Sequence, residues 1–219
     1  MNIDYDEILS YLGYKGHQAD KNTEDLIRHC LAELRTLARE KYVYDIFKLT
    51  SNEGSLSLEA SILTLTGRDI KNHLRHSERA AVMAVTLGLE VERQIAYYSK
   101  TDLTKGVIMD ACASAAVEAL CDRVEAEIRS RAFSQGFYLT SRFSPGYGDF
   151  PLEIQAAVAA VLDTHRKIGL TVTTNSLLIP RKSVTALIGL QRERPDQLCS
   201  DSKCEACFKQ DCEFRRDGN

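Results

Sequence analysis

The amino-acid sequence predicts an α+β fold, and three observations carry that prediction. A run rich in aromatic and β-branched residues lies early, from Tyr42 to Thr50. All four prolines (Pro145, Pro151, Pro180 and Pro195) come late, so Met1 to Ser144 has room for long, uninterrupted helices. Two further strand-like runs, Leu170 to Ile179 and Ser183 to Leu190, close the main body.

Each element follows from local pattern. Tyr5 to Leu12 reads as a short helix stopped by Gly13. Asn22 is a candidate cap for the next, in which Leu26, Cys30, Leu34, Leu37 and Ala38 recur at helical spacing. After the run at Tyr42 to Thr50, Ser51-Asn52-Glu53-Gly54 is a turn signal. Leu56, Leu58, Ala60 and Ile62 then alternate with polar residues, and the alternation slips at Leu63. Residues 42–66 are therefore expected as an antiparallel pair with a bulge or bend. Residues 69–132 read as mostly helical, broken near Gly88 and Asp102. Within that stretch Ala111-Cys112-Ala113-Ser114-Ala115-Ala116 is nearly all small, which lets another backbone approach closely and predicts a central, buried helix. Phe137 to Thr140, a Pro/Gly loop and a helix from about Pro151 to Gly169 lead into the late strands.

Composition narrows the classes. The 219 residues suffice for one sizeable domain, expected at 1–190, with a small appendage at 191–219. Hydrophobic residues at 44% and charged ones at 27% exclude a disordered chain. No apolar run approaches the roughly 20 residues of a spanning helix, and residues 1–15 lack a signal-peptide pattern, so a cytoplasmic protein without a membrane role is expected. With 28 basic against 31 acidic residues, a nucleic-acid partner is not expected.

Cysteine use is uneven. Cys30, Cys112 and Cys121 sit in apolar helical contexts and read as small core residues. Cys199, Cys204, Cys207 and Cys212 crowd into the tail with spacing Cys-x4-Cys-x2-Cys-x4-Cys. Four thiolates this close suit a tetrahedral zinc or an iron–sulfur cluster, and the metal would organise a tail with little apolar content.

The most informative stretch is the loop Ser141-Arg142-Phe143-Ser144-Pro145-Gly146-Tyr147-Gly148-Asp149-Phe150-Pro151. Its glycines and prolines fix turns that expose backbone groups. Arg142 offers a planar fork for a carboxylate, and Tyr147 a ring with a polar tip. A plain connection into the helix at Pro151, with Asp149 or Phe150 near its cap, explains the composition equally well. Glu118 falls on the same helical arc as Val107, Ala111 and Ala115, where a buried carboxylate needs a partner. The histidines share no metal-ligand spacing beyond His73-x2-His76, read as lying on a polar helical face; Lys71, Arg75 and Arg79 read as solvated surface.

Ala84-Val85-Thr86-Leu87-Gly88, Val117-Glu118-Ala119-Leu120 and Arg142-Phe143-Ser144-Pro145-Gly146-Tyr147 occur in a familiar order. So do Thr174-Asn175-Ser176, Pro180 and Ser183-Val184-Thr185. Over about residues 1–190 the chain resembles the reactivation domain of cobalamin-dependent methionine synthase, a module that binds S-adenosylmethionine. The resemblance implies a bent antiparallel sheet flanked by long helices. It implies that Glu118 meets the cofactor's α-amino group, Arg142 its carboxylate, and Ser144 its polar atoms through the backbone. Tyr147 would stand between cofactor and corrinoid, and Asp4 would match a further family aspartate. Where the family usually continues Pro-Ala after the tyrosine, this chain has Gly148-Asp149, which adds flexibility and a charge. The implied activity is reactivation, in which cob(II)alamin is reduced and methylated by S-adenosylmethionine. The cobalamin would be carried by a partner, a methionine synthase lacking its own activation domain or a related corrinoid protein. A donor such as flavodoxin or ferredoxin would supply the electron. No acid–base pair is evident, so positioning would be the main contribution. The alternative is a non-catalytic corrinoid-protein binding module whose metal tail serves assembly or electron relay.

Overall fold

A computed structural model describes residues 3–14, 17–52, 55–61 and 63–194. The tail cysteines, half of the turn at 51–54, and Pro195 lie outside the described residues.

The chain begins with helices α1 (Tyr5–Tyr11) and α2 (Lys21–Leu37). Capping decides where they start. Asp4 accepts the Asp6 N–H at 3.0 Å, and Asp20, rather than the expected Asn22, accepts those of Asn22 and Thr23 at 2.9 and 3.2 Å. Strands β1 (Lys41–Asn52), β2 (Ser55–Leu58) and β3 (Thr64–Leu65) follow. The expected pair is thus a three-stranded meander, with β1–β2 and β2–β3 both antiparallel. Of the bulge or bend expected at the slip, the chain makes the bend: Ala60 has φ 58°, and the Leu58 N–H donates to the Leu63 carbonyl at 3.1 Å.

Helix α3 (Arg68–His73) leads into β4 (Ser77–Thr86), then α4 (Leu89–Thr101) and α5 (Leu103–Phe133). Strand β4 corrects the sequence reading, which placed helix there. Ala80 to Val85 are all fully buried, so the run shows no alternation and its alanines mimic a helix. Its position between β1 and β8 in the sheet overrides that propensity. The buried helix is as expected, with Cys112, Ala113, Ala115 and Ala116 at 0% exposure.

Strand β5 (Tyr138–Leu139) comes next. The single helix expected from about Pro151 to Gly169 is instead a 3-10 turn (Leu152–Ile154) and two helices, α6 (Gln155–Leu162) and α7 (Thr164–Ile168), parted at Asp163, whose left-handed φ of 52° interrupts the helical backbone. The run from Leu170 to Ile179 is two short strands, β6 (Thr171–Val172) and β7 (Leu178–Ile179), folded on each other, instead of one. Strand β8 (Ser183–Gln191) completes a bent sheet of order β3-β2-β1-β4-β8-β5. The α+β class stands.

The chain packs as two compact units, each assembled from three segments. The first comprises Met1–Val43, Ala84–Glu125 and Asp163–Val184, with Ile27, Leu34, Val91, Met109 and Leu120 in its core. The described residues of the second fall within 44–83, 126–162 and 185–194, cored by Ile70, Leu74, Ile128, Phe137, Phe150 and Ile188.

Candidate functional site

Arg142, Ser144 and Tyr147 come together in one turn-rich loop of the second unit, residues 141–150. A two-way bridge seats its start: Phe143 and Leu187 of β8 exchange N–H···O bonds, both 2.9 Å. Tyr147 N–H donates to the Ser144 carbonyl at 3.1 Å, Gly146 N–H to Phe150 at 2.8 Å, and Phe150 N–H to Tyr147 at 2.9 Å. Gly146 has φ 91° and Gly148 φ 53°, backbone that side chains resist. Pro145 and Phe150 are buried and anchor the turn, and the Phe143 ring meets Tyr147 edge-on at 5.9 Å.

The two chemically distinctive side chains differ in exposure. Arg142 is half-buried; its Nη1 is buried and makes no hydrogen bond, while the guanidinium has other interactions. Tyr147 is 56% exposed, so its ring is presented outward. Ser144 is half-buried.

Glu118 and Asp4 belong to the first unit. Glu118, on α5, is half-buried. The arc on which it lies is not uniformly apolar core, because Val107 is 52% exposed while Ala115 is 0%. The carboxylate therefore sits where burial grades into solvent, contrary to the expected buried charge. Asp4 is exposed, and one carboxylate oxygen caps α1.

Two residues outside the expected site set act on the loop. His73, expected on a solvated face, is half-buried against Thr140, Ser141 and Phe143. Burial pulls its imidazole below the ordinary 6.5. Asp149 caps a helix, as one reading allowed, but it caps α3 rather than the helix that follows it. Those backbone N–H bonds hold its carboxyl below the ordinary 3.8. The side chain of Asp149 is thereby tied to α3. Sequence spacing carries no signal for either contact, since the partners are 80 or 81 residues apart for Asp149 and 68 for His73.

A cavity of about 270 Å³ lined by Leu49, Ser51, Leu56, Lys71, Leu74, Arg75 and Ser77 includes none of the predicted site residues. Among the described residues no group of three or more His, Cys, Asp or Glu side chains is placed to hold a metal, and the tail cysteines lie outside them. No helix among the described residues is long and apolar enough to cross a membrane.

These features define the class: an α+β domain with a six-stranded sheet and a hydrogen-bonded turn that carries a guanidinium and an exposed aromatic ring. The family model for the activation domain of vitamin B12-dependent methionine synthase matches residues 69–195, more than half of the chain. The chain belongs to that family. Its fold is similar to that in a crystal structure of the MetH reactivation domain bound to AdoHcy, with a TM-score of 0.64. That match has 14% identity and covers 90% of this chain and 72% of the other. No curated protein matches the sequence.

Proposed function

We propose that this chain binds S-adenosylmethionine and supports reductive methylation of cobalamin carried by methionine synthase or a related corrinoid protein. The observation that carries the reading is the 141–150 loop. Inside the family-matched stretch it carries both a half-buried arginine and an exposed tyrosine. The donor set suits the ligand, which carries a carboxylate, an ammonium and a sulfonium. In this reading Arg142 grips the carboxylate by a charge-assisted fork, Glu118 takes the ammonium, and Ser144 contributes backbone contacts. Asp4 keeps a carboxylate oxygen for a further contact. When bound, the cofactor supplies an electrophilic methyl group. Tyr147, exposed at the turn, gives that group an aromatic face toward the partner's corrinoid. The chain's own contribution is orientation and exclusion of water, and no side chain is assigned a proton-transfer role. The electron comes from a donor such as flavodoxin or ferredoxin.

The tail enters the same reading as a metal-binding appendage. Cys199, Cys204, Cys207 and Cys212 supply four thiolates for zinc or an iron–sulfur cluster. Metal analysis and a visible spectrum of anaerobically purified protein distinguish the two.

Calorimetric titration of the metal-replete protein with S-adenosylmethionine tests the function. Saturable binding at one site is expected. Absence of binding, with retained association to a corrinoid protein, would leave the chain a binding module and overturn the reactivation role.

A further inference from the structure

We propose that α3 is a splint for the loop carrying Arg142 and Tyr147, and that His73 and Asp149 are the positioning residues fastening the loop's two ends to it. What the loop binds rests on the reading above; the bracing itself does not.

The first fastening is at the C-terminal end of α3. Nε2 of His73 lies 2.9 Å from the Ser141 carbonyl oxygen and 2.9 Å from Thr140 Oγ1. A carbonyl only accepts, so Nε2 carries the proton. Thr140 Oγ1 accepts the Gly189 N–H at 2.8 Å and gives its own hydrogen to the Ser141 carbonyl at 3.1 Å. The imidazole also packs on the Phe143 ring, centroids 4.9 Å apart. One side chain thereby holds the residues on both sides of Arg142.

The second fastening is at the N-terminal end. Helix α3 begins after Gly67, which offers no side-chain cap, so its first amides need another acceptor. The Asp149 carboxylate takes the Arg68 N–H at 2.7 Å and the Asp69 N–H at 2.9 Å, and Asp149 N–H donates to Asp69 Oδ2 at 3.2 Å. The approach is close enough to exclude side chains: a Cβ on Gly148 would fall 2.1 Å from Asp69 Oδ2, and one on Gly67 2.9 Å from the Asp149 carbonyl.

Both fastenings are on one short, well-anchored element. With six residues α3 is about 9 Å long, so it sets the separation of the loop's ends. Ile70 at 0% and Leu74 at 1% exposure root it in the second unit's core. A loop held this way spends little conformational entropy when Arg142 and Tyr147 engage a ligand.

The test compares full-length wild type with His73→Leu, His73→Gln and Asp149→Ala. Two readouts are taken: S-adenosylmethionine affinity, and amide hydrogen exchange of the ligand-free proteins. His73→Leu and Asp149→Ala are each expected to weaken binding by about three- to tenfold, the equivalent of one newly mobile side chain. Both should speed exchange at Gly146, Tyr147 and Phe150 while α5 amides stay as slow as in wild type. His73→Gln, which keeps a donor near the Nε2 position, should restore affinity to within about twofold of wild type. The double variant should lose less than the product of the two single losses, because one released end already frees the loop. Wild-type exchange and affinity in both His73→Leu and Asp149→Ala would overturn the proposal, as would failure of His73→Gln to improve on His73→Leu. If wild type itself shows no affinity, the functional reading falls, and the exchange measurements decide the splint alone.

Discussion

The small-residue stretch of α5, Ala111 to Val117, and the loop from Ser141 to Phe150 each precede or carry a residue assigned to the site, yet different physics holds them. The helix stretch is buried on nearly every side: Ala111 is 4% exposed, Val117 6%, and Cys112, Ala113, Ala115 and Ala116 0%. Desolvation pushes the Cys112 thiol up to about 12, and that of Cys30 on α2 to about 11, so both remain neutral, inert core groups. The loop buries only its Pro145 and Phe150 anchors and is otherwise defined by directed hydrogen bonds from its own turns, β8 and α3. The contrast teaches that the two regions fail differently. Packing resists added volume and tolerates small changes of chemistry, whereas the loop depends on particular donors, acceptors and positive-φ glycines.

That contrast can be broken most sharply at Arg142. Arg142→Ala should weaken S-adenosylmethionine binding by about 1.5–3 kcal/mol, the range for losing a charge-assisted contact, with little change in the unfolding midpoint. A large drop in stability with unchanged affinity would assign the guanidinium to structure. Ala113→Leu should do the opposite. Overpacking is expected to cost about 1–3 kcal/mol in urea denaturation, while per-molecule affinity stays near wild type. Gly148→Ala lies between them, since a Cβ there is strained by about 1–2 kcal/mol in left-handed backbone and also crowds Asp69. It should lower both stability and affinity, and a loss in only one would separate the loop from its splint.

A pH titration sharpens the comparison further. The folded His73 value lies below the ordinary 6.5, so the unfolded chain takes up the proton first. The neutral imidazole's contribution is complete above 6.5 and is lost as pH falls from there through the folded value. Asp149 is also depressed, so its contribution is present above 3.8 and lost as pH falls through its folded value. Stability should therefore decline as pH falls below 6.5 and further as it falls below 3.8, with the first decline absent in His73→Gln. The smallest effect is expected for Tyr147→Phe, which keeps the ring. Its affinity loss should be well below that of Arg142→Ala, and an equal loss would mean the hydroxyl, not the ring, makes the contact.

Much of this was legible in the residues. The helix at Tyr5, the buried helix through Ala111 to Ala116 and the β8 run all follow local pattern. Strand β4 was not, because a fully buried alanine-rich run has no period and only its neighbours in the sheet decide its conformation. The capping residue of α2 was missed by two positions, since Asp20 and Asn22 are both good caps and only geometry chooses between them.

The sequence by itself determined the class, the loop with its fork and ring, and the motifs that place the chain beside methionine synthase activation domains. Those depend on residue types at short spacing, which side-chain chemistry and turn preference dictate locally. Tertiary structure alone decided that Glu118 sits at the edge of burial, that Asp149 caps α3, and that His73 grips Ser141. Each of these brings together groups far apart along the chain or depends on what covers a face. Hydrogen bonds and burial act through space, and only the folded backbone sets those distances.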